Sequence, residues 1–394
     1  MKSITVVGGG TAGWLTALYS LQLFPNSKVT VIASSEIGVL GAGEGTTPAF
    51  NEFVENLGID VNDIIKKAAG TVKSGIRFTN WNGPDTGYYH PFWEGRTALH
   101  FDANLLAKFL QDIAIGRGIQ LIDDVIVGVD TRSLTLQSGQ IHSYDFIFDC
   151  SGFRRLIIGQ HYNSTWNSYS RSLPAKRAMP FFIPHNGNIP EYTESIAMKY
   201  GWVWRIPVQG RYGCGYVFDS DYITDAQALA EIQESFGPVT SPRTFNFAAG
   251  SYSQTWINNA VAIGLSAGFT EPLEATSIWT AITSLQHFKD KIDGIDRPEI
   301  KELYNRDIEK LNQDFMTFIH FHYLSQRNDS EFWQEFATKN TTPDFIQRMG
   351  RRAPTQQELD YLYQVENPGE LYKIKTYPVN SWLAVGNGIG YFNG

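Results

Sequence analysis

The glycine cluster near the N-terminus constrains the fold of this chain more than any other feature. Gly8, Gly10 and Gly13 fit the pattern G-x-G-x-x-G between a β-branched run at 4–7 and an apolar segment with helical spacing, and a second strand pattern follows at 28–33. The first glycine allows a tight turn, the second lets the backbone approach a pyrophosphate, and the third lets the helix pack closely on the strand. The sequence therefore predicts a βαβ dinucleotide-binding module; a plain glycine turn is the alternative.

The contacts expected for the dinucleotide follow from this module, with one exception. The pyrophosphate would lie at the positive N-terminus of the helix, beside Thr11 and Ala12. An acidic residue about 20 positions further on usually binds a ribose hydroxyl, but Ala33 stands there. Either Glu36 or the hydroxyl of Ser34 replaces it, or the protein holds the ribose loosely. A loosely held ribose would suit a cofactor that binds and leaves.

Two further segments rich in small residues are expected beside the ligand. One contains Gly41, Gly43 and Glu44, where missing side chains would let backbone amides reach the cofactor; a flexible surface linker is the alternative. The other follows an apolar strand and reads Asp-Cys-Ser-Gly at 149–152. Open α/β sheets bind ligands at the carboxyl ends of their strands, so this segment is also expected to line the site.

Charge and composition limit the classes of partner. The chain has 394 residues with 32 Lys+Arg against 40 Asp+Glu, a net charge of −8, which argues against nucleic-acid binding because phosphates need clustered Lys and Arg. Two cysteines cannot form a disulfide framework. The sequence contains no apolar run of about 18 residues and no signal-peptide pattern, so we expect a cytoplasmic protein without membrane contact.

The rest of the chain divides by pattern. Residues 178–256 are rich in aromatic and β-branched types and predict an antiparallel sheet layer. Residues 275–345 predict long helices. The prolines and glycines from 346 onward favour an irregular tail.

The segment Trp202-Val203-Trp204-Arg205-Ile206-Pro207 carries the most specific motif. Strand alternation puts Trp202 and Trp204 on one face, and a buried core pair is the simplest interpretation. The pattern W-x-W-x-I-P, however, is the signature that separates flavin-dependent halogenases from related flavin monooxygenases. The chain resembles that family, the tryptophan-halogenase-like flavoproteins, along nearly its whole length. Further similar segments are 8–14, 41–48, 100–103, 149–153, 264–277 and 323–333.

The resemblance implies an α/β fold with a Rossmann-like FAD-binding module, an antiparallel sheet layer and a C-terminal helical subdomain. Together with the patterns above, it predicts four segments. These are the FAD module with the catalytic lysine at 1–160, the sheet and substrate layer at 161–256, a return to the FAD module with the halide site at 257–280, and the helical substrate-binding subdomain at 281–394.

The resemblance also implies two catalytic residues. Lys73 matches the family's essential lysine and lies in a β-like run at 71–78 that should be half-buried. A partly desolvated ammonium has a lowered pKa and can then hydrogen-bond an oxidised halogen species or react with it. Glu274 matches the family's glutamate beside that lysine, where it would orient the reagent and accept a proton from the ring; an acid that interacts with a helix dipole is the alternative.

The implied cofactors are FAD, in its reduced form FADH2, and a halide ion. Gly264, Ser277 and Ile278 would contact the flavin, and Thr276 with Ser277 would hold the halide through backbone amides at a helix start. The family often has glycine at the position of Ser277, which leaves the preference among chloride, bromide and iodide open.

In the implied mechanism, reduced FAD, dioxygen and halide yield hypohalous acid, which moves through a tunnel past Trp202, Trp204 and Pro207 to Lys73. The bulky tryptophans would keep an organic substrate away from the flavin. No second dinucleotide fingerprint is visible, so the expected partners are a separate flavin reductase and a small aromatic substrate, an indole, phenol or aniline. A homo-oligomer remains open.

Two other activities fit parts of these patterns. A flavin-dependent aromatic monooxygenase, that is, a hydroxylase, would share the fold and the cofactor but would need neither Lys73 with Glu274 nor the paired tryptophans. A non-catalytic flavin carrier would leave the lysine and the glutamate without a role.

No metal site is expected. His320 and His322 stand at i and i+2 on a predicted helix, so they do not share a face. One of them lines the substrate pocket, or both pack in the core.

Overall fold

The computed structural model describes residues 1–38, 44–185, 187–239, 244–363 and 376–393. Parallel and antiparallel sheets combine with helices, which confirms the predicted α/β class. The strands are β1 (Ser3–Val7), β2 (Lys28–Ala33), β3 (Glu44–Gly45), β4 (Thr71–Lys73), β5 (Gly75–Thr79), β6 (Gly87–Pro91), β7 (Ala98–Phe101), β8 (Gln120–Asp123), β9 (Ile126–Val129), β10 (Ser133–Leu136), β11 (Ile141–Ser143), β12 (Phe146–Asp149), β13 (Trp166–Ser168), β14 (Arg177–Pro184), β15 (Tyr192–Met198), β16 (Gly201–Val208), β17 (Arg211–Phe218), β18 (Phe245–Asn246), β19 (Gly250–Tyr252), β20 (Trp256–Ile257), β21 (Ala260–Ala262) and β22 (Gly268–Phe269). The helices are α1 (Thr11–Leu23), α2 (Pro48–Asn56), α3 (Val61–Lys67), α4 (Ala103–Gly116), α5 (Asp225–Phe236), α6 (Thr276–Lys291), α7 (Pro298–His322), α8 (Glu331–Lys339), α9 (Asp344–Met349), α10 (Gln356–Tyr363) and α11 (Val379–Gly388).

A six-stranded sheet forms the first layer, with strand order β20-β21-β12-β1-β2-β8. All neighbours in it are parallel except β20 and β21, which are antiparallel. Residues 4–7 of β1 are all buried, as expected of a parallel sheet whose two faces are both covered. The carboxyl ends of β1, β2 and β12 meet at one edge, which is where open α/β sheets bind their ligands.

A seven-stranded sheet, with order β18-β14-β17-β16-β15-β5-β6, forms the second layer. Its neighbouring strands are antiparallel except for β5 and β15, which pair in parallel. The sheet therefore joins residues 75–91 to residues 177–246. It also lies next to β4, because the hydroxyl of Thr71 donates to the carbonyl of Pro207 at 2.7 Å.

Helices α7 and α8 pack on the seven-stranded sheet through large aromatic side chains. Trp81, Trp202, Tyr323 and Trp333 form one buried cluster, and the indole N–H of Trp333 donates to the carbonyl of Met198 at 2.8 Å. The cluster fixes the C-terminal end of α7 against β15 and β16. No helix within the described ranges is long and apolar enough to cross a bilayer.

The expectation of an irregular tail is wrong for the described residues after 346. Helices α9, α10 and α11 occupy much of this region. Pro343 and Pro378 stand immediately before α9 and α11, so these prolines mark helix starts, where the fixed φ and the missing N–H do no harm. Burial of Ile346 and Trp382 in the main core then stabilises the helices.

Candidate active site

The glycine loop between β1 and α1 packs tightly at two of its glycines and leaves open space at the third. Gly8 has φ +117°, and a Cβ there would lie 2.2 Å from the carbonyl oxygen of Cys150. A Cβ on Gly13 would lie 2.0 Å from the carbonyl oxygen of Gly8, whereas one on Gly10 would meet nothing within 4 Å. The first and third glycines are thus required by packing, and the second faces open space.

The start of α1 at Thr11 and Ala12 is free of side-chain capping. Gly10 is the N-cap residue and no side chain caps the helix, so first-turn amides are left for an anionic ligand. Gly264 adjoins this helix start, since a Cβ on it would lie 3.1 Å from Cβ of Ala12. These features fit a dinucleotide pyrophosphate.

Glu44 lies against the same helix start. Its Oε2 accepts a hydrogen bond from the hydroxyl of Thr11 at 3.4 Å, and burial raises the pKa of Glu44 to about 7. Gly41 and Gly43 lie outside the described residues.

An acid is present near the predicted ribose position, but on a neighbouring strand. Ala33 pairs with Asp123 across β2 and β8, and the backbone N–H of Ser35 donates to Oδ1 of Asp123 at 2.8 Å. Ser34 is half-buried and Glu36 is exposed. Sequence reasoning missed Asp123, although its place at the end of a strand after helix α4 was a usable signal.

Lys73 is buried far more deeply than the predicted half-burial, with 1% of its surface exposed. Its ammonium donates to the carbonyl of Thr46 at 2.9 Å and lies 5.3 Å from the ring centroid of Phe92. Burial lowers the pKa of Lys73 to about 7, although the carboxylate of Glu274 acts in the opposite direction. At neutral pH this side chain therefore exists both as ammonium and as free amine.

Glu274 lies just before α6 and is held by two histidines. Its carboxylate is 3.0 and 3.2 Å from Nδ1 of His90 and 2.9 Å from Nε2 of His322. Burial alone would raise the pKa of Glu274, but its interactions with the two imidazoles outweigh burial and lower the pKa to about 2. The side chain is thus a buried, ionised carboxylate with fixed orientation.

Of the two histidines beside Glu274, the sequence patterns pointed to only one. His322 was a candidate pocket residue, whereas His90 was not recognised; its imidazole also contacts the hydroxyl of Ser381 through Nε2 at 2.8 Å. His320 instead packs in the core, with Nδ1 2.7 Å from the carbonyl of Ser172, and burial lowers its pKa to about 4. The described residues contain no group of three or more His, Cys, Asp or Glu placed to hold a metal ion.

Thr276, Ser277 and Ile278 form the first turn of α6. The residue before them, Ala275, has φ +56°, and no side chain caps the helix. The hydroxyl of Thr276 donates to the carbonyl of Glu271 at 3.1 Å, so that side chain is held within the turn. The backbone amides at this 16-residue helix start are suited to an anion.

Trp202 and Trp204 project from the same face of β16, with ring centroids 6.3 Å apart. Trp202 donates its indole N–H to the hydroxyl of Tyr323 at 3.0 Å, and Tyr323 donates to Oε2 of Glu271 at 2.7 Å. Burial raises the pKa of Glu271 to about 7. Pro207 lies further along β16, where its carbonyl accepts from Thr71 two residues before Lys73.

A Rossmann-like layer joined to a second sheet that carries the W-x-W-x-I-P strand defines the class of flavin-dependent halogenases. The chain matches the family described as tryptophan halogenase over residues 3–97 and 94–393. It therefore belongs to the tryptophan halogenase family, which confirms the resemblance seen in the sequence.

Several relatives and solved structures are similar to this chain. Tryptophan 7-halogenase KtzQ from Kutzneria sp. (strain 744) and tryptophan 7-halogenase RebH from Lentzea aerocolonigenes are each 30% identical over 419 residues, covering 85% of this chain and 78% of theirs. The structure of tryptophan 6-halogenase SttH from Streptomyces toxytricini superposes with TM-score 0.90 at 27% identity, covering 99% of this chain and 90% of that one. BrvH, a flavin-dependent halogenase from Brevundimonas sp. BAL3, superposes with TM-score 0.86 at 30% identity and the same coverage.

Proposed function

We propose that the protein is an FADH2-dependent halogenase that delivers hypohalous acid, through Lys73, to an electron-rich aromatic ring. The observation that carries the proposal is the burial of Lys73 together with its electrostatic coupling to Glu274. A buried lysine is costly to a fold, and a role in chemistry accounts for its presence.

The cofactor would be held by the glycine loop at Gly8, Gly10 and Gly13 and by the uncapped start of α1. The bound reduced flavin supplies the two electrons that, with dioxygen, halide and one proton, yield hypohalous acid and water. Asp123, which pairs with Ala33 and accepts from Ser35, would bind the ribose. Reduced FAD would come from a separate reductase, since the sequence carries one dinucleotide fingerprint.

The halide would bind at the start of α6, where Thr276 and Ser277 supply backbone amides to an anion. The hypohalous acid formed nearby would pass Trp202 and Trp204 on its way to Lys73. These indoles, tied to Tyr323 through the hydrogen bond of Trp202, form a rigid aromatic wall that an organic ring would not pass.

Lys73 would act on the halogen electrophile. The free-amine fraction that a pKa of about 7 provides presents a lone pair, and the ammonium fraction presents donors, so the side chain can hold the reagent by either route. Its bond to the Thr46 carbonyl limits its orientation. Transfer of the halogen to the ring then replaces a ring hydrogen and releases water.

Glu274 would accept the ring proton. A carboxylate with a pKa of about 2 is a weak base, but a halogenated cationic ring is a strong acid. Proton transfer from the ring to Glu274 is therefore energetically favourable. Its two imidazole contacts fix the oxygen atoms for that transfer.

The substrate would lie among the aromatic rings around Glu274. Phe78 and Tyr88 stack with centroids 4.6 Å apart, and Phe318 and Tyr377 stack at 3.7 Å; flat rings bind favourably beside such surfaces. The relatives KtzQ and RebH are named for tryptophan, which supports an indole, with phenols and anilines as related electron-rich rings.

One assay tests the proposal. The protein is incubated with FAD, a flavin reductase, NADH, dioxygen and a mixture of chloride, bromide and iodide, with a panel of indoles, phenols and anilines, and product masses are read. Halogen isotope patterns or iodine mass shifts are expected. A gain of one oxygen that is independent of halide would instead identify an aromatic monooxygenase and overturn the proposal.

A further inference from the structure

The two ring nitrogens of His322 face groups that both need a hydrogen. Nδ1 lies 2.8 Å from the backbone carbonyl oxygen of Phe318, and Nε2 lies 2.9 Å from Oε1 of Glu274. A carbonyl oxygen only accepts, so Nδ1 must carry a hydrogen. A neutral His322 would then turn the lone pair of Nε2 toward a carboxylate oxygen, an acceptor against an acceptor at hydrogen-bond distance.

One additional proton turns this repulsive contact into a charge-assisted hydrogen bond. An imidazole is intrinsically a stronger base than a carboxylate, with ordinary pKa values of about 6.5 and 4.3, so a proton shared by the facing pair goes to the ring. The proton therefore belongs on Nε2 of His322, which makes the imidazole a cation.

His90 does not need such a charge. Nδ1 of His90 donates to Glu274, and Nε2 can accept from the hydroxyl of Ser381 at 2.8 Å. The oxygen of Ser381 in turn accepts from the indole N–H of Trp93 at 3.1 Å. Every partner of His90 is satisfied by the neutral ring, so the two imidazoles beside Glu274 are not equivalent.

We propose that His322 is a positioning residue that stays protonated and neutralises Glu274, so that the carboxylate no longer holds Lys73 in its ammonium form. The part that concerns Lys73 rests on the function proposed above. The geometry of His322 itself does not.

The titratable groups around this pair come from several elements. Lys73 from β4, and Tyr88 and His90 from β6, feel the charge of Glu274. His100 from β7 feels the charge of Lys73. His322 is otherwise packed against the rings of Phe78, Trp81 and Phe318.

The effect on Lys73 follows from the sign of these charges. An uncompensated carboxylate would favour the ammonium and raise the lysine pKa. A cationic His322 offsets the carboxylate and preserves a free-amine fraction at neutral pH. A neutral residue at position 322 removes the offset.

The first measurement needs no flavin, halide or turnover. The full chain is labelled with ¹⁵N-histidine, and long-range ¹⁵N–¹H spectra of its 8 histidines are recorded at pH 8, with His322 assigned by its loss in His322→Gln. An imidazolium is expected there, because Nδ1 and Nε2 both face acceptors, and a neutral ring is expected in Glu274→Gln. A neutral His322 in the wild type, or an imidazolium that persists in Glu274→Gln, overturns the inference even if halogenation is observed.

The second measurement addresses the link to Lys73. His322→Gln keeps a donor toward Glu274 without a charge, and the halogenation rate is followed against pH. Where the free amine of Lys73 is the form that reacts, the rate rises with pH as the ammonium loses its proton, and this rising limb is expected to move to higher pH by roughly 1–2 units. His320→Gln is the matched control, because His320 is buried on the same helix and contacts Ser172 instead of Glu274; equal profiles for the two variants contradict the inference. If His322→Gln does not fold, His322→Asn takes its place.

Discussion

Lys73 donates its hydrogen bond to the backbone carbonyl of Thr46, at 2.9 Å. A Cβ on the preceding residue, Gly45, would lie 3.3 Å from the same nitrogen. The ammonium is therefore tied to the short segment that follows the predicted flavin loop. A movement of Gly45 and Thr46 would therefore also move the ammonium of Lys73.

Loss of Lys73 should separate oxidation of the reduced flavin from halogenation of the substrate. In Lys73→Ala we expect halogenated product to fall to background while reduced flavin is still oxidised, because the glycine loop and the start of α6 are untouched. Product mass and NADH consumption are measured together. Lys108→Ala, on the exposed face of α4, is the control, and halogenation by Lys73→Ala at the wild-type rate would falsify the role of the lysine.

The buried lysine should also lower stability in a pH-dependent way. Unfolding returns its pKa from about 7 to an ordinary value of 10.5, so the unfolded state binds more protons between these values and stability rises with pH across that window. Lys73→Met should therefore be more stable than wild type by at least about 1 kcal/mol at pH 6, with a smaller difference at pH 9. Urea unfolding at both pH values measures this, and an equal difference at pH 6 and pH 9 would show that the ammonium carries no penalty.

Removing the charge of Glu274 should slow the chemical step. Glu274→Gln keeps the size of the side chain but cannot accept a proton, and turnover should fall by roughly 10²–10⁴ if the carboxylate is the base. Steady-state halogenation of an indole measures it. Glu309→Gln, at a residue that accepts from Asn167, is the matched control; a negligible effect of Glu274→Gln would leave the residue a structural element only.

The hydroxyl of Ser277 should influence halide choice. It lies in the first turn of α6, so Ser277→Gly enlarges the space at the proposed anion site. We expect the ratio of brominated to chlorinated product to rise several-fold in a mixture of both halides, with little change in the KM of the aromatic substrate. Ser277→Ala separates loss of the hydroxyl from loss of Cβ. An unchanged product ratio in both variants would move the halide elsewhere.

The position of Trp204 depends on a glycine across the sheet. Gly215 pairs with Trp204 between β16 and β17, and a Cβ on Gly215 would lie 2.0 Å from Cζ2 of the indole. Gly215→Ala should therefore destabilise the protein by about 1–3 kcal/mol. In a Trp204→Ala background the cost should nearly vanish. Urea unfolding of the four proteins measures the coupling, and additive effects would contradict it.

The sequence was informative where function depends on local backbone geometry. The roles of Gly8 and Gly13 follow from a fixed spacing, and the structure gives both the close contacts that this spacing requires. Trp202 and Trp204 lie on one face because strand alternation is local. The prediction for Lys73 had the right direction, toward burial, but neighbouring residues alone do not reveal how completely β7, Thr46 and Phe92 enclose it.

Contacts between distant segments were not readable in the same way. The residues around His90 do not indicate its contact with Glu274. The proline before α11 likewise does not predict that Ser381 contacts the imidazole of His90. The position of Asp123 at a strand end was a usable signal for a ligand contact, but its pairing with Ala33 arises from strand order and not from spacing. The tail helices were missed because burial of Ile346 and Trp382 stabilises them, and burial is a property of the whole fold.

The contacts of His90 have a consequence for how the protein is made. The residue lies 184 positions from Glu274 and 291 positions from Ser381, so the cluster is complete only when most of the chain has been made. Contacts of such high sequence separation form late and slow folding. During synthesis the contact between His90 and Ser381 cannot form until Ser381 has left the ribosome, and until then Nε2 of His90 lacks the hydroxyl partner that the finished protein provides.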